Sequence, residues 1–478
     1  ISISDLNASV TDYSVKYDLS ALNALDSLNG IQVISRLHTL GLSRSDLMNP
    51  EANMTSLNTN IQSALSGLPT QTVQYTGTDV DDLNQFLQNN TGKIVQLTQD
   101  IQVYKNTNGS FGIIMVPSDT ILDGNGHRLV MKAGYTEAPD VGVVLYVYKD
   151  GVIPSTNCGV KNLSTDIPYV NSINVFSADN ILIENNTLNN ATKSGIMISD
   201  EYGSTVNGII RGNTINNVGD DAIAVYGNHS NLLIDSNRIS GAKGFAGIAI
   251  SCLQNGQQIR VDNETTGPHD IIVTGNVVSG CSGEALYCIG SYKTYITYNT
   301  LRDSILEGVC LDSGCIGNYF AHNEVVNNGI AGGLPGVSID NGIYNIVDSN
   351  NVYNNSCSGI KLVRTGLGNI IVNNICTDNA YNQMGAKSSG IDIEPLAVET
   401  ENLGYIDGLG SNWNVVLNNT VTGSHDFGVF IADDDTANNG GSSCENVIMY
   451  NKFSSAYTFG AADFSSMSST VKNNITLN

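Results

Sequence analysis

The sequence predicts an all-β chain wound as a parallel β-helix of about ten or more coils behind a short N-terminal α-helical segment. Three observations predict it. An Asn two residues before an apolar residue recurs at Asn186, Asn213, Asn237, Asn276, Asn299, Asn323, Asn350, Asn373, Asn419 and Asn451, mostly 23 to 27 residues apart. Between these lie short strand-like runs led by a small residue: Gly195, Ala222, Gly247, Ala285, Gly308, Gly336, Gly359, Gly390 and Gly428. Helical periodicity is confined to the beginning of the chain.

In chain order, residues 16–66 read as helical. The stretch "DLSALNALDSLNGIQVISRLHTLGL" spaces its apolar residues three and four apart, with Gly30 and Gly41 as breaks. "LPTQT" at 68–72 reads as a linker, so residues 1–72 form the N-terminal segment and 73–478 the β-helix. "DVDDLNQFLQNN" (79–90) reads as a short capping helix, followed by strand-like "KIVQLTQDIQVY". From there each round reads strand, Asn turn, strand, Gly turn. Asn tolerates the left-handed conformation of a sharp corner, and stacked amides can hydrogen-bond from coil to coil. The apolar residues then stack as one continuous core. Leucine-rich and propeller templates are missing.

Lys+Arg number 21 against Asp+Glu 45, a formal charge of −24. Nucleic acid and anionic membranes are excluded as partners, and strongly anionic polysaccharides are disfavoured. No apolar run reaches the length of a membrane span. The opening "ISISDLNASV" lacks the regions of a signal peptide, which fits a processed or a trimmed chain; a secreted or cell-surface location is expected. Nine cysteines without a CxxC pair, and six histidines, do not make a zinc site. The cysteines read as small buried hydrophobes with one or two disulfides.

Over about residues 73–478 the coils, with "ILDGNGHRL", resemble the right-handed parallel β-helix of the pectate-lyase-like superfamily. The resemblance implies a right-handed coil. It leaves the chemistry open, because one fold hosts many activities.

The chemistry is sought on the outer face. Counting from each small residue as zero, positions one and three point inward and two and four outward. Position two then reads Tyr287, Cys310, Ser338, Lys361, Asp392 and Phe430 in consecutive coils; position four gives Asp312, Asp340 and Glu394. Asp392, Glu394, Asp340 and Asp312 are the candidate catalytic acids, since glycoside hydrolysis needs one carboxyl kept protonated and one ionised. Glu394 is expected to hold the proton and Asp392, beside Lys361, to stay ionised. Lys361, Arg364, Tyr287, Tyr405, Trp413 and Glu399 are the candidate substrate-binding residues, with Trp413 as a stacking platform. Long insertions at 252–268 and 395–412 are expected to wall a groove. Both acids of "GIDIE" are expected to face solvent, so that their substitution leaves folding intact.

Two weaker motifs are set aside as turns. "GDDAIAV" resembles the Gly-Asp-Asp of polygalacturonases, without the His and Arg-x-Lys that follow it there. "GPHD" resembles the Asp-Pro-His-Asp of alginate epimerases, with Gly267 replacing the first Asp. No metal or cofactor is required, though acidic turns such as "ADDDTANN" could hold structural Ca²⁺. The function expected is a glycoside hydrolase, or a glycosyl-transferring relative, on a neutral or amino-sugar oligo- or polysaccharide. A polysaccharide lyase or uronate epimerase, and a non-catalytic adhesin or phage tail-type receptor binder, are the alternatives. Homo-oligomerisation stays open.

Overall fold

Each coil gives one short strand to each of three parallel sheets. The computed structural model describes residues 12–28, 32–105, 112–148, 151–252, 267–381, 389–395, 410–432, 441–454, 459–465 and 469–477. The chain divides into two compact units, one of residues 56–257 and 268–278 and one of 1–55, 258–267 and 279–478.

In the first of these, the strand register follows the sequence repeat. Ile196 pairs with Ile223 and Ile223 with Ile248, so each small-residue strand stacks on the next without slippage. Ile196, Ile223 and Ile248 are wholly buried. Helix Val80–Asn89, capped by the Asp79 carboxylate on the Asp81 amide, buries Val80, Leu83 and Leu87. Its Asn84 side chain satisfies the Ile113 carbonyl and the Met115 amide, both at 2.8 Å. That closes off sheet hydrogen-bonding groups that a first coil would otherwise expose. The expected linker ends at Thr72, where strand Thr72–Tyr75 pairs with Ile94–Leu97.

The Asn residues form ladders. Asn186 donates both its amide and its Nδ2 to Asn213 Oδ1, at 3.0 and 2.9 Å, and Asn213 and Asn237 repeat the contact down to Asn276. In the other unit the same ladder runs Asn299, Asn323, Asn350, Asn374, Asn419 and Asn451. Asn374 therefore takes the place expected of Asn373. Cys376, two residues after Asn374, is wholly buried, whereas Ile375, two after Asn373, is 49% exposed. Two further ladders were not anticipated: Asn318, Asn345, Asn369, Asn414 and Asn446 at a second corner, and Asn328, Asn355 and Asn379 at a third.

The N-terminal helices of this second unit begin at Tyr13 and include Gln32–Thr39 and Arg44–Leu47. They dock on its coils through polar pins. Tyr13 donates to Asp348, and Tyr344 donates to Asp26. Two glycines make room for them: a Cβ on Gly317 or Gly368 would lie 2.5 Å from Leu47 or Leu25. Both glycines are also left-handed, at φ +58° and +59°, so any other residue there is doubly penalised. All nine cysteines are buried free thiols, so the one or two expected disulfides do not form. No helix among the described residues is long and apolar enough to cross a membrane.

Candidate functional site

Seven successive strands of one sheet carry the candidate residues: β1 (Leu286–Ile289), β2 (Val309–Asp312), β3 (Val337–Asp340), β4 (Ile360–Val363), β5 (Ser389–Ile393), β6 (Phe427–Ile431) and β7 (Phe459–Asp463). Their register makes position two a continuous column: Tyr287, Cys310, Ser338, Lys361, Asp392, Phe430 and Ala462. The alternation holds, with Ile391 and Ile393 buried on the inner side of Asp392.

The face is not solvated, contrary to expectation. Tyr287, Cys310, Ser338 and Phe430 are all buried, and Asp392 has 0% exposure. Coils about 4.8 Å apart let each side chain cover its neighbours. Substitution of Asp392 is therefore a core change, not a surface one.

Two cations are bracketed by four acids. Lys361 Nζ lies 2.7 Å from Glu394 Oε2 and 3.9 Å from Asp392 Oδ2. Arg364 Nη1 lies 2.9 Å from Asp340 Oδ2 and 3.9 Å from Asp312 Oδ1. Asp312 also accepts from the Tyr287 hydroxyl and from Ser313 Oγ, both at 2.8 Å. Asp392 accepts from Ser358 Oγ at 3.3 Å. Asp340 Oδ1 and Asp392 Oδ1 find no hydrogen-bond partner among the described residues.

Burial makes these acids unequal. It pushes the Asp392 carboxyl well above its ordinary value, with the Glu394 charge and a hydrogen bond to Glu394 adding to it against the pull of Lys361 and Ser358. Burial and then Asp312 push Asp340 well up, against Arg364. For Lys361 burial pulls downward, but Asp392 and Glu394 overcome it and leave the ammonium held more firmly than usual. Burial of Asp392 runs against its expected ionised state, and Lys361 makes its closer contact with Glu394.

Of the remaining candidates, Trp413 sits at φ 56° before strand Val415–Leu417, its amide donating to the Cys444 carbonyl at 3.3 Å. Among the described residues no hydrogen bond or ring contact joins it to the acids, and its buried Nε1 finds no partner. Tyr405 and Glu399 lie outside the described residues, as do most of 252–268 and 395–412. In the other unit Asp221 lies in the turn between strands Thr214–Asn216 and Ile223–Tyr226, as expected, but it does not face solvent. It is wholly buried, accepts from the Ala246 amide at 2.8 Å and from Tyr226, and burial lifts it to about 7. His269 opens strand His269–Thr274, in a different sheet from the acids. No group of three His, Cys, Asp or Glu poised for a metal occurs among the described residues.

Sequence reasoning missed Glu307, which burial and then the Asp312 charge lift to about 7. The signal was present, since Glu284 and Glu307 stand immediately before the small residue in consecutive coils. It also missed Arg36. This buried guanidinium donates to the carbonyls of Gly290 and Gly314, at the corners just after Ile289 and Asp312. The helical segment thereby pins the turn that carries Asp312 and Ser313. Chemically, the cluster offers two partly exposed carboxyls: Asp340, pushed up by burial beside Arg364, with 14% of its side chain exposed, and Glu394, paired with Lys361, with 19%.

The family model described as a right-handed beta helix region matches residues 145–266. No curated protein sequence matches the chain. Among solved structures, the A-module of a mannuronan C-5 epimerase from Azotobacter vinelandii superposes with TM-score 0.50 at 14% identity, covering 84% of this chain and 98% of that one. A double mutant of the tailspike protein of E. coli bacteriophage HK620 superposes with TM-score 0.50 at 15% identity, covering 83% and 74%. These likenesses carry the architecture: the chain folds as a right-handed parallel β-helix.

Proposed function

We propose that the chain is a carbohydrate-active enzyme, a glycoside hydrolase acting on a neutral or amino-sugar glycan at the acid cluster of β2 to β5. One observation carries the reading: both cations of the site already face protein acids, Lys361 with Glu394 and Arg364 with Asp312 as well as Asp340, while burial pushes Asp340 and Asp392 well above their ordinary values. Asp340 supplies the general acid. It protonates the glycosidic oxygen as the bond from that oxygen to the anomeric carbon breaks. Glu394 takes a proton from the water that attacks the anomeric carbon, so proton gain and loss balance over the cycle. Asp392, fully buried, cannot reach a sugar and instead fixes Lys361 and Glu394. Asp340 and Glu394 stand two strands apart, about 10 Å at the backbone. That separation is nearer the inverting geometry of about 6.5–9.5 Å than the retaining one of about 5 Å.

A lyase or epimerase needs a cation free to neutralise a uronate, and Lys361 and Arg364 are spoken for. The overall charge of −24 opposes the same substrates. The fold shared with a mannuronan epimerase is compatible with a glycan substrate and carries no weight beyond that. The test is a screen of neutral, amino-sugar and uronate oligosaccharides with reducing-end detection. New reducing ends from neutral or amino-sugar members are expected. Unsaturated products from uronates, or binding with no product, would replace this reading with the lyase or the adhesin.

A further inference from the structure

Immediately beyond the acids, the same outer face turns aromatic. Phe430 is the register partner of Asp392, and Phe427 the partner of Ser389. One strand further on, Phe464 follows Asp463, and its amide donates to the Ile431 carbonyl at 3.0 Å. The three rings form one cluster, with centroids 5.1 Å apart for Phe427 and Phe430, 5.5 Å for Phe430 and Phe464, and 6.3 Å for Phe427 and Phe464. Phe427 and Phe430 are buried, whereas Phe464 is 44% exposed. Its tilted and edge-on contacts with the other two hold it in place, with part of its surface left open to water.

We propose that Phe464, braced by Phe427 and Phe430, is a sugar-binding subsite that takes the apolar face of a neutral pyranose ring. The ring would belong to the glycan whose scissile bond lies at Asp340 and Glu394, so the proposal rests on the hydrolase reading for its placement. Continuity supplies the argument. The column that carries Lys361 and Asp392 continues into Phe430 and Ala462 without a break in register. Phe464 stands two strands from Glu394, about 10 Å, a distance an oligosaccharide chain spans. The chemistry agrees. An aromatic face attracts the weakly positive C–H groups of a sugar ring and sheds water in doing so. The subsite would therefore fix the direction of the chain along the sheet.

The experiment measures binding of a panel of neutral and amino-sugar oligosaccharides to the full chain and to Phe464→Ala and Phe464→Trp. Circular dichroism should stay that of the wild type, and the thermal midpoint should fall only slightly for Phe464→Ala, by the loss of its two ring contacts. At least one neutral oligosaccharide should bind the wild type. Phe464→Ala should weaken it by about tenfold or more, as truncating an aromatic anchor does, and Phe464→Trp should stay within about threefold. Equal binding by Phe464→Ala, or no binding of any neutral oligosaccharide by the wild type, overturns the subsite. The hydrolase reading is judged separately on new reducing ends. Phe464-dependent binding without product removes the hydrolase and keeps the subsite; turnover with unchanged binding does the reverse.

Discussion

Glu307 shows how much a single half-buried carboxyl governs. Its proton is held to about 7 instead of the ordinary 4.5, so the folded state binds more protons than the unfolded one between those values. Stability from this group is fully present below 4.5 and is lost as pH rises towards 7. His229 and His425, lowered to about 4 mainly by burial, work the other way: their contribution is present above 6.5 and is lost as pH falls towards 4. A difference measurement separates the two. The thermal midpoint of Glu307→Gln minus that of the wild type should rise from pH 4.5 to 7 and then level off. Scanning calorimetry at several pH values checks it, and a difference that shrinks over that range would contradict the assignment. At this scale the sequence was half legible. Period-two alternation was enough to place Asp392 and Glu394 on one face and beside Lys361. It could not show that Asp392 is wholly buried, and burial is what pushes its carboxyl well above the ordinary value.

At the scale of the element, the Asn ladder is the part most fully written in the chain. Asn213 accepts from the Asn186 amide and Nδ2, and donates to the Ile183 carbonyl and Asn237 Oδ1. Asn213→Ala removes four buried hydrogen bonds and leaves the Asn186 amide without its side-chain acceptor, at about 1–3 kcal/mol for each polar group left unmet. It should destabilise the fold by about 3 kcal/mol or more in urea unfolding, and a loss under about 1 kcal/mol would mean that the ladder is incidental. The slip from Asn374 to Asn373 has a simple cause, since "NNIC" offers an apolar residue two places after either Asn. Only packing tells Cys376 from Ile375. Docking of the helices was illegible for a different reason: Arg36 binds carbonyls, which leave no residue-type signature. Arg36→Met should free those carbonyls and loosen the segment, at about 1.5–3 kcal/mol per charged hydrogen bond. Limited proteolysis should then cut within residues 12–55 at protease levels that leave the wild type intact. Unchanged resistance would show that Tyr13, Asp26 and Leu47 hold the segment without it.

For the whole molecule, the fold was readable because repetition averages out local ambiguity. Ten imperfect copies of one coil fix a register that no single copy could. Function is not averaged in this way. The proposed site lies in the few coils where the repeat is broken by Asp312, Asp340, Lys361, Asp392 and Glu394, and no other coil repeats any of these breaks. The sequence therefore pointed to the sheet that carries the proposed site, while the pair proposed within it rests on burial and partner geometry. The most direct test of the central claim is the turnover of a neutral glycan, detected by new reducing ends, for Asp340→Asn and Glu394→Gln beside the wild type. Circular dichroism should confirm that each variant folds. Each substitution should lower turnover by about a hundredfold or more, since general acid–base catalysis contributes about 10²–10⁴. Near-normal turnover in both folded variants would contradict the account and remove these acids from the chemistry.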